Sequence, residues 1–229
     1  TTGVQNTLVG SEAGDAFTDA DYNVALGFRA LTTDTKGSRA TALGYRALNT
    51  QNFTTATDNY NVAVGFQAGY SVTTGVRNTL VGGSAGDALT TGDNNVALGF
   101  NALSAETQGD RNIAIGTDAL AAQNNTSDTD VYNIAIGFQA GASVTTGTGN
   151  ILVGGLVGDA LTEGSSNVAI GQTALTSDTL GSRSVAIGQS ALFTQNFTSA
   201  TNAYNTGVGY FAGANITTGT NNTLIGGLA

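Results

Sequence analysis

Short apolar runs alternate with polar stretches rich in Gly, Asn, Asp and Thr, and the apolar runs return at fixed intervals. Each takes a form such as Asn-Val-Ala-Leu-Gly and ends on a glycine: Gly10, Gly27, Gly44, Gly65, Gly82, Gly99, Gly116, Gly137, Gly154, Gly171, Gly188, Gly209 and Gly226. Between these thirteen anchors the spacings run 17, 17, 21 and 17 residues, and that set of four occurs three times. The repeat is therefore 72 residues, with units at about 1–72, 73–144 and 145–216 and a partial unit at 217–229. The residue before each anchor is Val, Leu or Ile, and the residue three before it is Val, Ile or Thr. Such β-branched positions favour a strand over a helix.

One short strand per sub-repeat, bounded by turn-forming residues, predicts one coil of a solenoid in which each coil pairs in parallel with its neighbours. The expected fold is all-β, a parallel β-solenoid (β-roll) of about 13 coils of 17 or 21 residues. At ~4.8 Å per coil it would form a rod about 60 Å long, a single continuous segment over 1–229. The chain opens at Thr1 in mid-pattern, which predicts a segment of a longer fibre protein. Four residues before the anchor stands Asn in eleven of thirteen coils. Asn23, Asn61, Asn78, Asn95, Asn112, Asn133, Asn150, Asn167, Asn205 and Asn222 are expected to stack as an amide ladder along the axis.

Residue sizes vary together within the unit. Leu8, Leu80 and Leu152, two before their anchors, go with Gly14, Gly86 and Gly158, four after them. In the next coil types the sizes invert, with Ala25 and Leu31, or Ala97 and Leu103. Compensation of this kind places the two positions in one packing layer. In Asn-Val-Ala-Leu-Gly both strand faces are apolar. One fills the coil, and the other predicts an apolar stripe covered by copies of the same chain around a symmetry axis, as a homotrimer or fibre.

Composition narrows the chemistry. Pro, Cys, His, Met and Trp are absent and Gly numbers 33. With no Cys there are no disulfides or thiolate metal sites, and with no His the commonest general base and metal ligand is missing. A net charge of −9 with seven basic residues argues against nucleic acid. No apolar run approaches the ~18 residues of a membrane span, and no signal peptide is visible.

The motifs "NVALG", "NIAIG" and "SVAIG", followed by Ala-Leu after two residues, resemble the head repeats of YadA-like trimeric autotransporter adhesins. Ser184-Val185-Ala186-Ile187-Gly188 is the nearest match. Similar arrays occur in phage tail fibres and large extracellular proteins. The resemblance implies trimeric parallel β-rolls with adhesive surfaces outside the cell. The coils here are longer than that family's usual ones.

Candidate chemistry is sparse. Asp34, Glu106 and Asp178 each precede Arg39, Arg111 or Arg183 by five residues and predict loop-tying ion pairs. An active site is expected to break the repeat, and none of these acids does, so no catalytic residue, cofactor or metal is assigned. "TGDNN" at 91–95 does not match the calcium-roll nonapeptide, and "VGGSAGD" at 81–87 lacks the lysine of a phosphate loop. The "TTG" pairs at Thr73, Thr145 and Thr217 recur too rarely for an ice-binding face.

What remains is the long coil. Its four extra residues fall within 49–60, 121–132 and 193–204 and are expected to bulge. Each segment carries an Asn-x-Ser/Thr sequon, at Asn52 with Thr54, at Asn124 and Asn125 with Thr126, and at Asn196 with Thr198. These loops are the expected glycan or partner-contact sites. The function read from the sequence is a structural and adhesive rod of an extracellular fibre (cell surface, virion or secreted), not an enzyme. Its partners would be itself and a host-surface or glycan receptor. The alternative is a self-assembling, glycosylated filament or matrix protein.

Overall fold

The computed structural model describes residues 2–229. Among these there are nineteen strands and no helix. Thirteen are three-residue strands, each ending one residue before an anchor glycine, as in Val24–Leu26, Val96–Leu98 and Ile151–Val153. They pair in parallel and in phase: Val24 faces Thr41, Ala25 faces Ala42 and Leu26 faces Leu43. The fold is a β-solenoid of thirteen coils. The chain divides into two compact units, one running to Arg111 and including Asn125–Asp130, the other comprising Asn112–Asn124 and Val131–Ala229. Six of the three-residue strands lie in the first unit and seven in the second.

Alternation along each strand sets the faces. In the eleven strands between the first and the last, the central residue, as Ala25, Leu80, Ala135 or Leu152, points inward and is buried. Residues on either side point outward, so that Val24, Leu26 and Leu98 in the first unit and Ile136, Ile170 and Ile187 in the second are exposed apolar side chains. Outside the strand the anchor glycines turn the chain, with φ between 125° and 143°. A side chain would also meet the next coil, since a Cβ on Gly10 would lie 2.6 Å from Gly27 O. Both reasons exclude any other residue.

The remaining corners do not depend on glycine. In every complete coil, left-handed backbone recurs two and four residues after the anchor and five before the next one. Numbering the coils by their anchor glycines from Gly10, coil 2 (from Gly27 to Gly44) has it at Arg29 (φ 59°), Leu31 (φ 52°) and Arg39 (φ 66°). Each such residue costs of order 1–3 kcal/mol and persists only where its surroundings hold it. Here the stacked coils do so. Arg29 N–H donates to Ser11 O at 3.0 Å, Leu31 N–H to Ala47 O at 3.1 Å and Arg39 N–H to Asp21 O at 2.9 Å.

The size compensation is real packing. A Cβ on Gly14 would lie 2.9 Å from Leu8 Cδ2, and one on Gly86 would lie 2.8 Å from Leu80 Cδ2. Leu80 also fills the space beside Gly69 in the coil before, where a Cβ would be 2.7 Å from its Cδ1. Leu152 repeats this between Gly141 and Gly158.

Asparagines of the predicted ladder bond mainly to main chain rather than to one another. Asn78 Oδ1 accepts the N–H of Asn95 at 2.9 Å, while Asn78 Nδ2 donates to Gly92 O at 2.8 Å. Asn61, Asn150 and Asn205 accept the N–H of Asn78, Asn167 and Asn222 in the same way. Asn23 Oδ1 serves Ala40 N at 2.8 Å, and Asn112 Oδ1 serves Asn133 N at 3.3 Å. Amide-to-amide bonds are secondary, such as Asn150 Nδ2 to Asn133 Oδ1 at 3.2 Å. The reason is local: at this corner the main chain enters the strand, and its buried N–H and C=O groups need partners that the side chain supplies.

Candidate functional site

Each long coil is fastened by a buried acid in the coil before it. Seven residues after the anchor the side chain points inward: Val72, Leu89, Val144 and Leu161 are buried there, and the long coils place the buried Gln51, Gln123 and Gln195 at the same position. Before a long coil the position holds Asp34, Glu106 or Asp178, all fully buried. Asp34 Oδ1 accepts Gly37 N–H at 2.9 Å and Phe53 N–H at 3.0 Å, while Oδ2 accepts Gln51 Nε2 at 2.6 Å. Gln51 Oε1 in turn accepts Asn61 Nδ2 at 2.9 Å, and Asn61 also donates to Gly75 O at 2.7 Å. Asp178 repeats the arrangement with Gly181 N at 3.0 Å, Phe197 N at 3.1 Å and Gln195 Nε2 at 2.6 Å.

The middle copy uses a longer acid. Glu106 Oε1 accepts the N–H groups of Thr107, Gln108, Gly109 and Asn125 at 2.9, 3.1, 2.8 and 3.0 Å. Its Oε2 accepts Asn125 Nδ2 at 2.9 Å. Asn125 stands where the other copies have Phe53 and Phe197, whose rings are buried. Separately, Gln123 Oε1 accepts Asn133 Nδ2 at 2.8 Å.

These contacts correct the expected ion pairs. Arg39, Arg111 and Arg183 lie on the outside, five residues before the anchor, while the acids lie inside. Arg39 pairs with Asp58 at 2.9 Å and Arg111 with Asp130. Arg183, whose counterpart position carries Asn202 in place of an acid, donates to the Tyr204 hydroxyl at 2.6 Å. A guanidinium drawn inward would lose its hydration, whereas backbone N–H groups and an amide solvate the buried carboxylate without a second charge. Tyr rings flank the cations: Arg39 lies 4.9 Å from the Tyr22 centroid and 5.8 Å from that of Tyr60. Asp58 holds the Arg39 guanidinium above its ordinary pKa, chiefly through their hydrogen bond.

The loops project less than their extra length suggests. After the tip the chain returns to a two-residue parallel bridge: Thr57–Asp58 on Gly37–Ser38, Thr129–Asp130 on Gly109–Asp110, and Thr201–Asn202 on Gly181–Ser182. Thr54, Thr126 and Thr198 are exposed, with the two residues that follow each of them. Asn52 and Asn196 are half-buried, and each accepts a threonine hydroxyl, from Thr35 and Thr179, at 3.1 Å. Asn124 is exposed and its N–H donates to Thr145 O at 3.0 Å. Asn125 is buried and commits its amide to Glu106.

A threonine column escaped the sequence reading. Eight residues after the anchor stand Thr18, Thr35, Thr73, Thr90, Thr107, Thr145, Thr162, Thr179 and Thr217, and in the long coils Asn52, Asn124 and Asn196. Most hydroxyls are tied to the next coil, as Thr90 Oγ1 is to Thr107 O at 2.8 Å and Thr162 Oγ1 to Thr179 O at 2.9 Å. Counting forward from each glycine would have found it. The sequon asparagines thus occupy a structural column.

Two carboxylates carry raised pKa values. Burial does this for Asp87, whose Oδ1 is enclosed without a hydrogen-bond partner. Burial again comes first for Asp110, helped by the neighbouring Asp128 carboxylate and opposed by the Asp93 N–H, which donates to it at 2.6 Å. Among the described residues no group of three acids converges in metal-binding geometry, and no helix is long and apolar enough to cross a membrane. No protein-family profile matches the chain, and no curated protein matches it.

Proposed function

We propose that the chain is a structural and adhesive segment of an extracellular fibre, of bacterial or phage type, rather than an enzyme. The β-solenoid is compatible with a structural repeat protein. The observation that supports display is the contrast within each long coil between a root fastened to a buried acid and an exposed tip at 54–56, 126–130 or 198–200. A rigid root lowers the ordering entropy of binding, and a tip recurring once per 72 residues sums weak contacts into avidity. Glycan attachment at Asn124, and at Asn52 and Asn196 if their loops yield a little, belongs to the same reading. Asn125 does not, because its amide is committed.

The proposed partners are copies of the chain, as a homotrimer or fibre, and a host-surface or glycan receptor. Self-assembly is supported by the outward apolar residues on the strands, including Leu26 and Leu98 in the first unit and Ile136 and Ile187 in the second. The same face favours the second reading, a self-assembling filament or matrix protein, for which assembly alone is the function.

Shortening each long coil by four residues, Thr54–Thr57 and their counterparts, converts it to standard length and tests display. Beads coated with the intact chain are expected to adhere to cells, and beads carrying the shortened chain are not. Equal adhesion overturns the adhesive reading. Light scattering tests assembly: a particle of three chain masses or a longer polymer is expected, and a folded monomer at micromolar concentration overturns it.

A further inference from the structure

The three repeats serve as controls for one another. A side chain found in one repeat and missing at both counterpart positions is not required by the coil. The outer surface of coils 2–4 departs in this way. Arg46 corresponds to Asp118 and Ser190, Tyr45 to Thr117 and Gln189, and Tyr70 to Ala142 and Ala214. The Arg46 guanidinium lies 5.3 Å from the Tyr45 centroid and 6.0 Å from that of Tyr70. Its Nε is enclosed without a hydrogen-bond partner. One coil earlier, Arg29 lies 5.1 Å from the Phe28 centroid and pairs with Glu12 at 2.7 Å. Phe28, Tyr45 and Phe66 stack coil upon coil, 5.6 and 5.2 Å apart, with exposed rims.

We propose that this face binds a linear acidic polysaccharide, a chain of uronic-acid residues lying along coils 2–4. A guanidinium without a carboxylate partner is matched by a planar carboxylate, which takes two parallel N–H bonds. The aromatic rims offer an apolar strip for the C–H groups of the sugar rings. Coils advance by ~4.8 Å, close to the advance of one pyranose in an extended chain. A carboxylate on the ring beside Arg46 meets that guanidinium, and a sugar carboxylate further along the chain, on the same side, reaches Arg29. The Glu12–Arg29 pair is exposed and weak, so a sugar carboxylate competes for Arg29. With a net charge of −9, affinity comes from this local pairing rather than from long-range attraction. An acidic peptide shares the carboxylates but lacks the ring faces that use the aromatic column.

This inference is independent of loop display, because the face contains no long-coil tip. The full chain is titrated calorimetrically with oligogalacturonate, neutral maltohexaose and hexaglutamate. Saturable binding of oligogalacturonate, roughly tenfold tighter than either control, is expected. Arg46→Ser and Tyr70→Ala copy residues that sister repeats carry at the same coil positions, so the fold accommodates them. Each is expected to weaken binding roughly tenfold without lowering the melting temperature. Glu12→Gln frees Arg29 and is expected to tighten binding. Failure of oligogalacturonate to saturate, equal binding of maltohexaose, tighter binding of hexaglutamate or undiminished affinity in Arg46→Ser each overturns the proposal. Adhesion lost on loop shortening with uronate binding retained separates this site from the loops.

Discussion

Gln51 Nε2 donates to Asp34 Oδ2 at 2.6 Å with both side chains fully buried, one coil apart. This bond joins the coil before the first long loop to the root of the loop itself. Because the same carboxylate also holds the Phe53 N–H, one buried group fixes both the entry and the course of the loop.

Removing that acceptor should loosen the loop before it unfolds the coil. In Asp34→Ala three donors lose their partner, and a cost of about 3 kcal/mol is expected from leaving buried donors unsatisfied. Asp34→Asn keeps the shape but replaces one acceptor with a donor facing Gln51 or a backbone N–H, and about half that loss is expected. Urea denaturation measures the loss. Hydrogen exchange at Phe53 should accelerate in both variants.

The middle copy pairs a longer acid with a polar partner, Glu106 with Asn125, where the outer copies pair Asp34 with Phe53 and Asp178 with Phe197. Glu106→Asp alone shortens the reach, and Asn125→Phe alone leaves Glu106 Oε2 without its amide. Each should destabilise by about 1–2 kcal/mol. The double variant rebuilds the outer-copy pair and should recover at least half of the summed loss. A double-mutant cycle that gives simple additivity would show that the two positions do not act together.

Leu80 fills the space beside both Gly69 and Gly86. Leu80→Ala should lose about 2–5 kcal/mol through the cavity it leaves, and Gly86→Leu alone should clash with Leu80. The exchange Leu80→Ala with Gly86→Leu copies the next coil, Ala97 with Leu103. It should be more stable than either single variant, as thermal melts would register.

Asp87 supplies a test by pH. Burial raises its pKa in the folded state, so the ionised form opposes folding at neutral pH. That opposition is relieved as pH falls through the raised value, because the folded chain takes up the proton first. Asp87→Asn should therefore stabilise the chain at pH 7, by up to about 1 kcal/mol given partial solvent contact. The advantage should fade towards pH 4, near the ordinary aspartate pKa of ~3.9. An advantage that grows on acidification would refute this account.

Much of the frame was legible in the residues. Strand positions, coil lengths and parallel stacking follow from the spacing of Gly10 to Gly226 and the β-branched residues before each glycine. So did the exchange of Leu80 with Gly86 against Ala97 with Leu103, because volume must be conserved within a layer. The polar partners were not legible. The spacing of five residues pairs Asp34 with Arg39 on paper, yet that interval spans a corner and sends one inward and the other out. Asn125 looked like a sequon and is a fastener, because its neighbour in space is Glu106. The Arg46 surface was not legible either, because it lies where one repeat departs from its sisters and periodicity marks only what recurs.

Periodicity along the chain by itself determined which positions are equivalent from coil to coil, since every coil must present the same apolar residues to the same layer. Tertiary structure alone decided what the polar residues do. A buried carboxylate is solvated by whichever N–H groups the adjacent coil brings within about 3 Å. Left-handed corners at Arg29, Leu31 and Arg39 are held by hydrogen bonds to neighbouring coils. Both depend on contacts between residues about one coil apart in sequence, where direction and distance are set by the stack and not by the local residue pattern.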